Sequence, residues 1–273
     1  PSNESGYEMS NPLMEKWASR TEVLGTWLSL PDSHAAEVVA RVDFDYVCVD
    51  MQHGVADYQT ATAMLQAIVL TGNGTPICRV PWNEPGIIGR MLDAGARGVI
   101  VPMVNSVEEA KRAVAATKYP PLGERSYGPT IIGARARNAG EDYYPTANET
   151  NACIPMIETR QAVENLDEIL AVEGVDAIYV GPADLSLSYG YGPAYSDDND
   201  EYKKVLEYIV ARCDQAGKIA GIHSTTALAA NRREKGFLMQ TVSGDLAAMS
   251  KASYQDLKNA REGGPGDGSS RIY

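Results

Sequence analysis

Nowhere in the 273-residue chain do apolar residues run to the twenty or so that a membrane-spanning helix requires. The start, PSNESGYEMSNP, lacks both the basic flank and the apolar stretch of a secretory signal, so the expectation is a soluble, cytoplasmic protein with no membrane partner. Positive charge is scarce. Lys and Arg number 24 against 36 Asp and Glu, a net charge of −12, which opposes binding to nucleic acid or anionic lipid and favours small-molecule partners. Histidines number three, without the close grouping a histidine-rich zinc site needs. The four cysteines are widely spaced, and Cys48, Cys78 and Cys153 sit inside apolar runs, where they read as buried small hydrophobes rather than disulfide partners or zinc ligands. No G-x-G-x-x-G turn follows the first strand-like run, which removes the usual signature of an open, doubly wound sheet.

What is present is a repeat of architecture. With 44% hydrophobic residues the chain can bury a large core, and a single domain is the first choice. Residues 1–20 read as a polar arm with a short helix near Leu13 to Ser19, residues 21–262 as the domain, and the tail GGPGDGSSRIY as linker-like, either disordered or laid on a neighbouring subunit. From Glu22 a short apolar run, a loop and an amphipathic segment recur eight times. VLGTWLSL leads into HAAEVVARV past a helix cap at Asp32 or Ser33, YVCVD into YQTATAMLQAIVLTG, TPICRVPW into NEPGIIGRMLDAG, and GVIVPMV into SVEEAKRAVAATKY, where Ser106 and Glu109 have capping-box spacing. IPMI precedes TRQAVENLDEILAVEG, AIYV precedes EYKKVLEYIVARCDQAG, KIAGIHS precedes TTALAANRREKG, and FLMQTVSGD precedes the last helix. Eight βα units in about 240 residues predict a (β/α)8 TIM barrel. One long insertion, PPLGERSYGPTIIGARARNAGEDYYPTANET, reads as a loop made locally basic by Arg125, Arg135, Arg137 and the nearby Arg112.

In such a barrel the C-terminal strand ends converge, so unusual polar residues there are candidates for chemistry. The strands end in Asp50 and His53, Arg79, Glu158, the GPADLS turn with Asp184, His223, and Ser243 with Asp245. Each has a plainer reading alone: Asp50 as a loop acid, Arg79 as its structural partner, His53 as a satisfied loop histidine. Together they are harder to dismiss. Glu158 and Asp184 close two successive buried strands, and two carboxylates with open positions for water and substrate oxygens suit Mg²⁺ or Mn²⁺, with Co²⁺ as a further candidate. No lysine is assigned to the barrel interior, so imine chemistry has no obvious nucleophile.

From about Gly25 to Asp245 the chain resembles the HpcH/HpaI family of class II, metal-dependent pyruvate aldolases, through FDYVCVDMQHG, RVPWNEP, LDAGARGVIVPMV, ATKYPPLGERSYG, IPMIET and GPADLS in that order. The resemblance implies reversible aldol cleavage of a 4-hydroxy-2-oxo acid to pyruvate, or a related 2-keto acid, and an aldehyde. It also implies a homo-oligomer, a hexamer arranged as a trimer of dimers with the last helix swapped between partners. Position by position, Glu158 and Asp184 match the metal carboxylates, and Arg79 the arginine on the keto oxygen. His53 matches the proton-transfer histidine, Asp50 the acid beside it, and Asp93 an aspartate supporting that histidine, with a subunit boundary between them as one arrangement. Gly181, Pro182, Ala183 and Asp184 match the turn that receives the substrate carboxylate.

Three departures bear on substrate choice. Met51 and Gln52 replace a frequent Gly-Glu before His53, which lowers the local charge by one. His223 stands where several relatives carry an apolar aldehyde-pocket residue, which points to a polar or hydroxylated acceptor. Ser126 and Tyr127 replace smaller residues and join the substrate-binding candidates. Two other functions fit parts of the pattern. A citrate-lyase-like enzyme acting on a CoA thioester would need a basic groove, for which only the insertion offers residues; a barrel that binds 2-keto acids without turnover is kept open by Gln52.

Overall fold

The structure is a computed structural model that describes residues 10–193 and 199–263. The tail from 264 onward and arm residues 1–9 lie outside the described residues. Eight strands run in chain order: β1 (Val23–Leu28), β2 (Tyr46–Asp50), β3 (Thr75–Arg79), β4 (Gly98–Val101), β5 (Ala152–Ile157), β6 (Ala177–Val180), β7 (Ile219–His223) and β8 (Met239–Gly244). All pair in parallel, and β8 returns to β1 to close the barrel. The expected (β/α)8 barrel is the fold.

Helices alternate with the strands. Before the insertion come α1 (Pro12–Ala18), α2 (Ser33–Ala40), α3 (Tyr58–Thr71), α4 (Pro85–Ala94) and α5 (Val107–Thr117). The insertion forms α6 (Thr130–Asn138) and α7 (Tyr143–Thr150). There follow α8 (Arg160–Glu164), α9 (Leu166–Leu170), α10 (Pro182–Ser188), α11 (Asp200–Gln215), α12 (Ala229–Glu234) and α13 (Asp245–Glu262).

Alternation along each strand sorts the core into two layers. Val23, Trp27, Tyr46, Cys48, Ile77, Ile100, Ile154, Met156, Tyr179, Ile219 and Met239 fill the barrel interior. Their neighbours Val47, Val49, Cys78, Val99, Val101, Ile178, Val180 and Ile222 face outward and pack with the surrounding helices. Space inside is tight: a Cβ on Gly25 would enter the Tyr46 ring. The hydroxyls of Tyr46 and Tyr179 both meet Thr241 Oγ1, at 2.9 Å and 2.5 Å, so the two tyrosine hydroxyls that enter the interior are paired.

The arm is more ordered than a polar reading suggests. Asn11 caps α1 by accepting the Leu13 N–H at 3.1 Å, and its amide donates to the carbonyls of Arg97 and Thr150. Leu13 and Trp17, both buried, join the interior cluster and plug the N-terminal mouth of the barrel. Burying a side chain of Leu size is worth about 1.5–3 kcal/mol, which anchors the short helix.

Three local expectations are corrected. The insertion is not a loop: Ile132 and Ala136 of α6, with Tyr143 and Ala147 of α7, form a small core under Tyr119. Four-residue spacing gives each short helix one buried stripe, a signal too brief to stand out beside Pro121, Gly123 and Gly128. The single helix expected after β5 is divided at Asn165, whose amide donates to the Asn105 carbonyl at 2.7 Å. The capping box is half formed. Ser106 Oγ accepts the Glu109 N–H, but Glu109 Oε2 reaches the N–H of Asn105 rather than of Ser106. The cap of α2 is Asp32, which accepts from Ala35 N at 2.7 Å.

Candidate active site

Continuing the inward rows to their C-terminal ends gives the site. Tyr46 and Cys48 lead to Asp50, Ile77 to Arg79, Ile154 and Met156 to Glu158, and Ile219 and Gly221 to His223. On these four strands the inward position beyond the apolar layers is thus polar, and the four side chains share the rim of a cavity of about 760 Å³. His53, Gly181, Pro182, Ala183, Asp184, Ser243 and Asp245 also line it, so eleven of the residues singled out from sequence meet in one place.

Asp50 and Arg79 form a buried, two-pronged ion pair, Nε to Oδ1 at 2.8 Å and Nη2 to Oδ2 at 2.7 Å. Asp50 Oδ1 also accepts the N–H groups of Gln52 and His53, at 3.1 Å and 3.4 Å, which ties the β2 loop to the pair. Burial pushes the Asp50 carboxyl up, but the Arg79 hydrogen bonds and charge outweigh it and hold the group below the usual carboxylate range. The Arg79 guanidinium lies 4.3 Å over the Trp27 ring. Of its five N–H bonds, two serve Asp50, and the plane of the remaining three is fixed by that pairing and by the indole.

Glu158 is almost wholly buried, at 1% exposure. Its Oε1 accepts the Met103 N–H at 2.7 Å, whereas Oε2 is buried without a partner. Met103 adopts a left-handed φ of 54°, uncommon for a residue other than glycine, and presents its N–H from the loop after β4. Gly181 flanks the other side, where a Cβ would collide with Glu158 Oε2. Burial pushes the Glu158 carboxyl up to about 7; the Met103 N–H and Arg79 work against this, and the Asp184 charge adds to it. An orphaned buried oxygen and a second acid that raises its neighbour's pKa make a site short of positive charge. That donor set fits a divalent cation. No group of three or more His, Cys, Asp or Glu in metal-binding arrangement occurs among the described residues, so the protein would supply few ligands and leave the rest to water and substrate.

Asp184 is the third residue of α10 and is exposed to the cavity. The α10 N-terminus has no side-chain cap, and Pro182 at its first position carries no N–H. Pro182 therefore lines the cavity without donating, and the N–H groups that follow it in the turn are those of Ala183 and Asp184.

His53 sits exposed on the rim. His223 meets the Trp27 ring edge-on, with centroids 5.0 Å apart, and its carbonyl accepts from the fully buried Arg232 at 2.5 Å. Burial, followed by the charges of Arg79 and Arg232, pushes the His223 imidazole down to about 4.

Two expected residues lie elsewhere in the chain. Asp93 of α4 receives the buried Arg125 at 2.5 Å and does not line the cavity; Ser126 is exposed in the segment between α5 and α6. Two of the four arginines that made the insertion look basic are engaged by acids, Arg125 by Asp93 and Arg112 by Glu109 at 3.5 Å.

Other lining residues were not anticipated. Trp27 is central, and its signal was present in the alternation Val23, Gly25, Trp27. Ser29, Ser224, Thr225 and Thr226 also line the cavity. Asp245, which the sequence did single out with Ser243, accepts the N–H groups of Ser29, Leu30 and Leu246, and so staples the end of β8 to the loop after β1. The strands carry no lysine, as expected. Lys251 of α13 does reach the cavity mouth, but it is solvent-exposed and lacks the buried setting that activates an imine-forming amine.

Comparison with known proteins agrees with the fold. The family model for HpcH/HpaI aldolase/citrate lyase matches residues 24–252. A hydroxypyruvate/pyruvate aldolase of Rhizorhabdus wittichii is 38% identical over 252 residues, covering 92% of this chain and 99% of the relative. A 4-hydroxy-2-oxo-heptane-1,7-dioate aldolase of Shigella boydii is 38% identical over 231 residues, 84% of this chain and 87% of the relative. Among solved structures, an HpcH/HpaI aldolase/citrate lyase family protein from Burkholderia cenocepacia superposes with a TM-score of 0.85 at 33% identity, covering 92% of this chain and 100% of that one.

Proposed function

The chain belongs to the HpcH/HpaI aldolase/citrate lyase family, and from that premise we propose that it cleaves a 4-hydroxy-2-oxo acid reversibly to pyruvate, or a related 2-keto acid, and an aldehyde. It is an aldolase, a carbon–carbon lyase. The observation that carries the assignment of roles is the unpartnered, buried Oε2 of Glu158, enclosed by Gly181 and set beside Asp184 and Arg79 in one cavity.

Glu158 and Asp184 would hold the divalent cation, Mg²⁺ or Mn²⁺ by the all-oxygen donor set, with Co²⁺ as a further candidate. When bound, the cation supplies Lewis-acid chemistry, withdrawing charge from the 2-oxo group so that bonds to C3 ionise near neutral pH. The N–H groups of Ala183 and Asp184 would receive the substrate carboxylate. In the cleavage direction His53 takes the proton from the 4-hydroxyl, the C3–C4 bond breaks, the aldehyde leaves and the bonding pair moves toward the C2 oxygen. Arg79 meets that growing charge with N–H groups already oriented by Asp50 and Trp27, so little reorganisation is needed as charge develops. Protonation at C3 completes pyruvate.

A homo-oligomer is part of the proposal, with a trimer of dimers as the expected form. After Asp245 no residue of α13 is buried, and Leu246, Met249, Tyr254 and Leu257 are 54%, 58%, 70% and 50% exposed. An 18-residue helix with that much uncovered apolar surface calls for a second copy. Asp93 and Ser126, which lie off the chain's own cavity, would act toward a neighbouring protomer's site.

The test is synthesis. Pyruvate and a short hydroxyaldehyde with Mg²⁺, Mn²⁺ or Co²⁺ should give a 4-hydroxy-2-oxo acid, and Asp184→Ala should remove the activity. Full product formation after exhaustive chelation contradicts the proposed roles.

A further inference from the structure

We infer that Asn105 is a positioning residue for the site: it locks the loop after β4 so that Met103 holds one oxygen of Glu158 and leaves the other free for the cation. The inference rests on the reading above, in which Glu158 is a metal carboxylate, and deepens it by naming what sets that carboxylate's orientation.

The two oxygens of Glu158 are treated unequally. Oε1 accepts the Met103 N–H at 2.7 Å, whereas Oε2 is buried, unpartnered and so close to Gly181 that a Cβ there would strike it. Which oxygen stays free therefore depends on where one main-chain N–H points. That N–H belongs to Met103, whose φ of 54° is left-handed. Such a conformation is unfavourable for a residue with a side chain and persists only where the surroundings enforce it.

Asn105 supplies the enforcement. Its Nδ2 donates to the Met103 carbonyl at 3.0 Å, which closes the turn from its far side. Its Oδ1 accepts from the hydroxyl of Thr159, the residue directly after Glu158. Its main-chain N–H donates to Glu109 Oε2 at 2.6 Å, and its carbonyl accepts from Asn165 Nδ2 at 2.7 Å. Every polar group of Asn105 is thus engaged, by α5, by the end of β5 and by the junction of α8 with α9. One side chain spans the segment that donates to Glu158 and the segment that carries it. Neither Asn105 nor Thr159 lines the cavity, so the amide acts through Met103 and Glu158 and not on substrate.

A network that only packed α5 against α8 would change stability when broken and leave cation affinity alone. A network that orients Glu158 would change the affinity of protein that is still folded. Groups standing behind a metal ligand are typically worth about 10–100-fold in metal affinity.

The experiment is Mn²⁺ binding to the metal-free full chain without substrate, followed by electron paramagnetic resonance of the free ion well below each variant's thermal midpoint. Asn105→Ala should raise the Mn²⁺ Kd by on the order of 10–100-fold. Adding Met103→Gly to that variant should recover at least about threefold, because glycine takes a left-handed φ without a side-chain penalty. Thr159→Val removes only the second arm of the network and should raise Kd a few-fold, about threefold or more. Affinity within about twofold of native in Asn105→Ala, or in Thr159→Val should the first variant not fold, overturns the inference, as does a loss that Met103→Gly leaves unrecovered. Glu158→Gln separates the two levels. Binding that is lost in Glu158→Gln and kept in Asn105→Ala defeats the positioning role alone. Native protein that binds no Mn²⁺, or Glu158→Gln that binds it as the native protein does, defeats the metal-carboxylate reading and this inference with it.

Discussion

Gly181 and Glu158 are packed so closely that the smallest side chain at 181 would occupy the position of Glu158 Oε2. Glycine is required there by space, not by backbone angle: its φ is −90°. The turn that begins α10 and the acid that ends β5 are therefore matched surfaces, and Asp184 is placed relative to Glu158 by that match.

Gly181→Ala should consequently disable the site while sparing the barrel. The methyl group must displace either the Glu158 carboxylate or the α10 turn, and a displacement near 1 Å in a catalytic constellation costs on the order of 10² in rate. The expected outcome is at least that loss in aldol synthesis with a thermal midpoint within a few degrees of the native value. An active Gly181→Ala enzyme would show that the contact does not define the geometry.

Arg79 and Asp50 should respond differently to substitution. Arg79→Ala removes the hydrogen-bond donor for charge on the C2 oxygen, and the expected loss is about 2–4 kcal/mol of transition-state stabilisation, roughly 10²–10³ in kcat. Asp50→Asn leaves Arg79 buried without its countercharge. Breaking a buried pair in this way costs about 3–5 kcal/mol in stability, so the thermal midpoint should fall as well as the rate. Steady-state kinetics beside calorimetry separates the two effects.

Stability and cation binding should both depend on pH through Glu158. Burial raises its carboxyl to about 7 from the usual 4.5, the Met103 N–H and Arg79 offset part of this, and the Asp184 charge adds to it. Between those values the folded state holds a proton that the unfolded state has lost, so this group's contribution falls as pH rises from about 4.5 to 7. Mg²⁺ should reverse the trend. Its affinity should increase with pH through about 7, and binding at pH 6 should release protons, measurable by titration calorimetry in buffers of different ionisation enthalpy. Affinity independent of pH from 5.5 to 8 would place the cation elsewhere.

Disrupting α13 should alter assembly before chemistry within one barrel. Met249→Asp with Leu257→Asp puts charge onto its exposed apolar face, and light scattering should report a smaller particle than the native protein. Native protein that is monomeric at micromolar concentration would contradict the proposed oligomer.

Much of this site could be read from sequence because strands carry their own ruler. Glu158 lies two residues after Met156 and four after Ile154, Asp50 two after Cys48, and Arg79 two after Ile77, so simple alternation puts these side chains inside the barrel at its C-terminal end. The GPAD turn is local and equally readable. What escaped depends on contacts between distant segments. Trp27 matters because barrel closure brings it against Arg79 and His223, and Met103 because the loop after β4 takes a left-handed turn that nothing in Met-Val-Asn announces. The insertion escaped for a third reason: α6 and α7 each bury too few residues for a periodic signal. Asp93 could be matched by motif, but its partner Arg125 comes from that same insertion, out of reach of local pattern.

The most direct test is proton exchange at pyruvate C3 in deuterium oxide, followed by nuclear magnetic resonance with Mg²⁺ or Mn²⁺, after chelation, and in Glu158→Gln and Asp184→Asn. If the two carboxylates hold a cation that acidifies the 2-keto acid, exchange is rapid with cation and is lost on chelation and in either variant. Exchange that persists at the native rate after chelation, or in Glu158→Gln with cation present, would contradict the assignment.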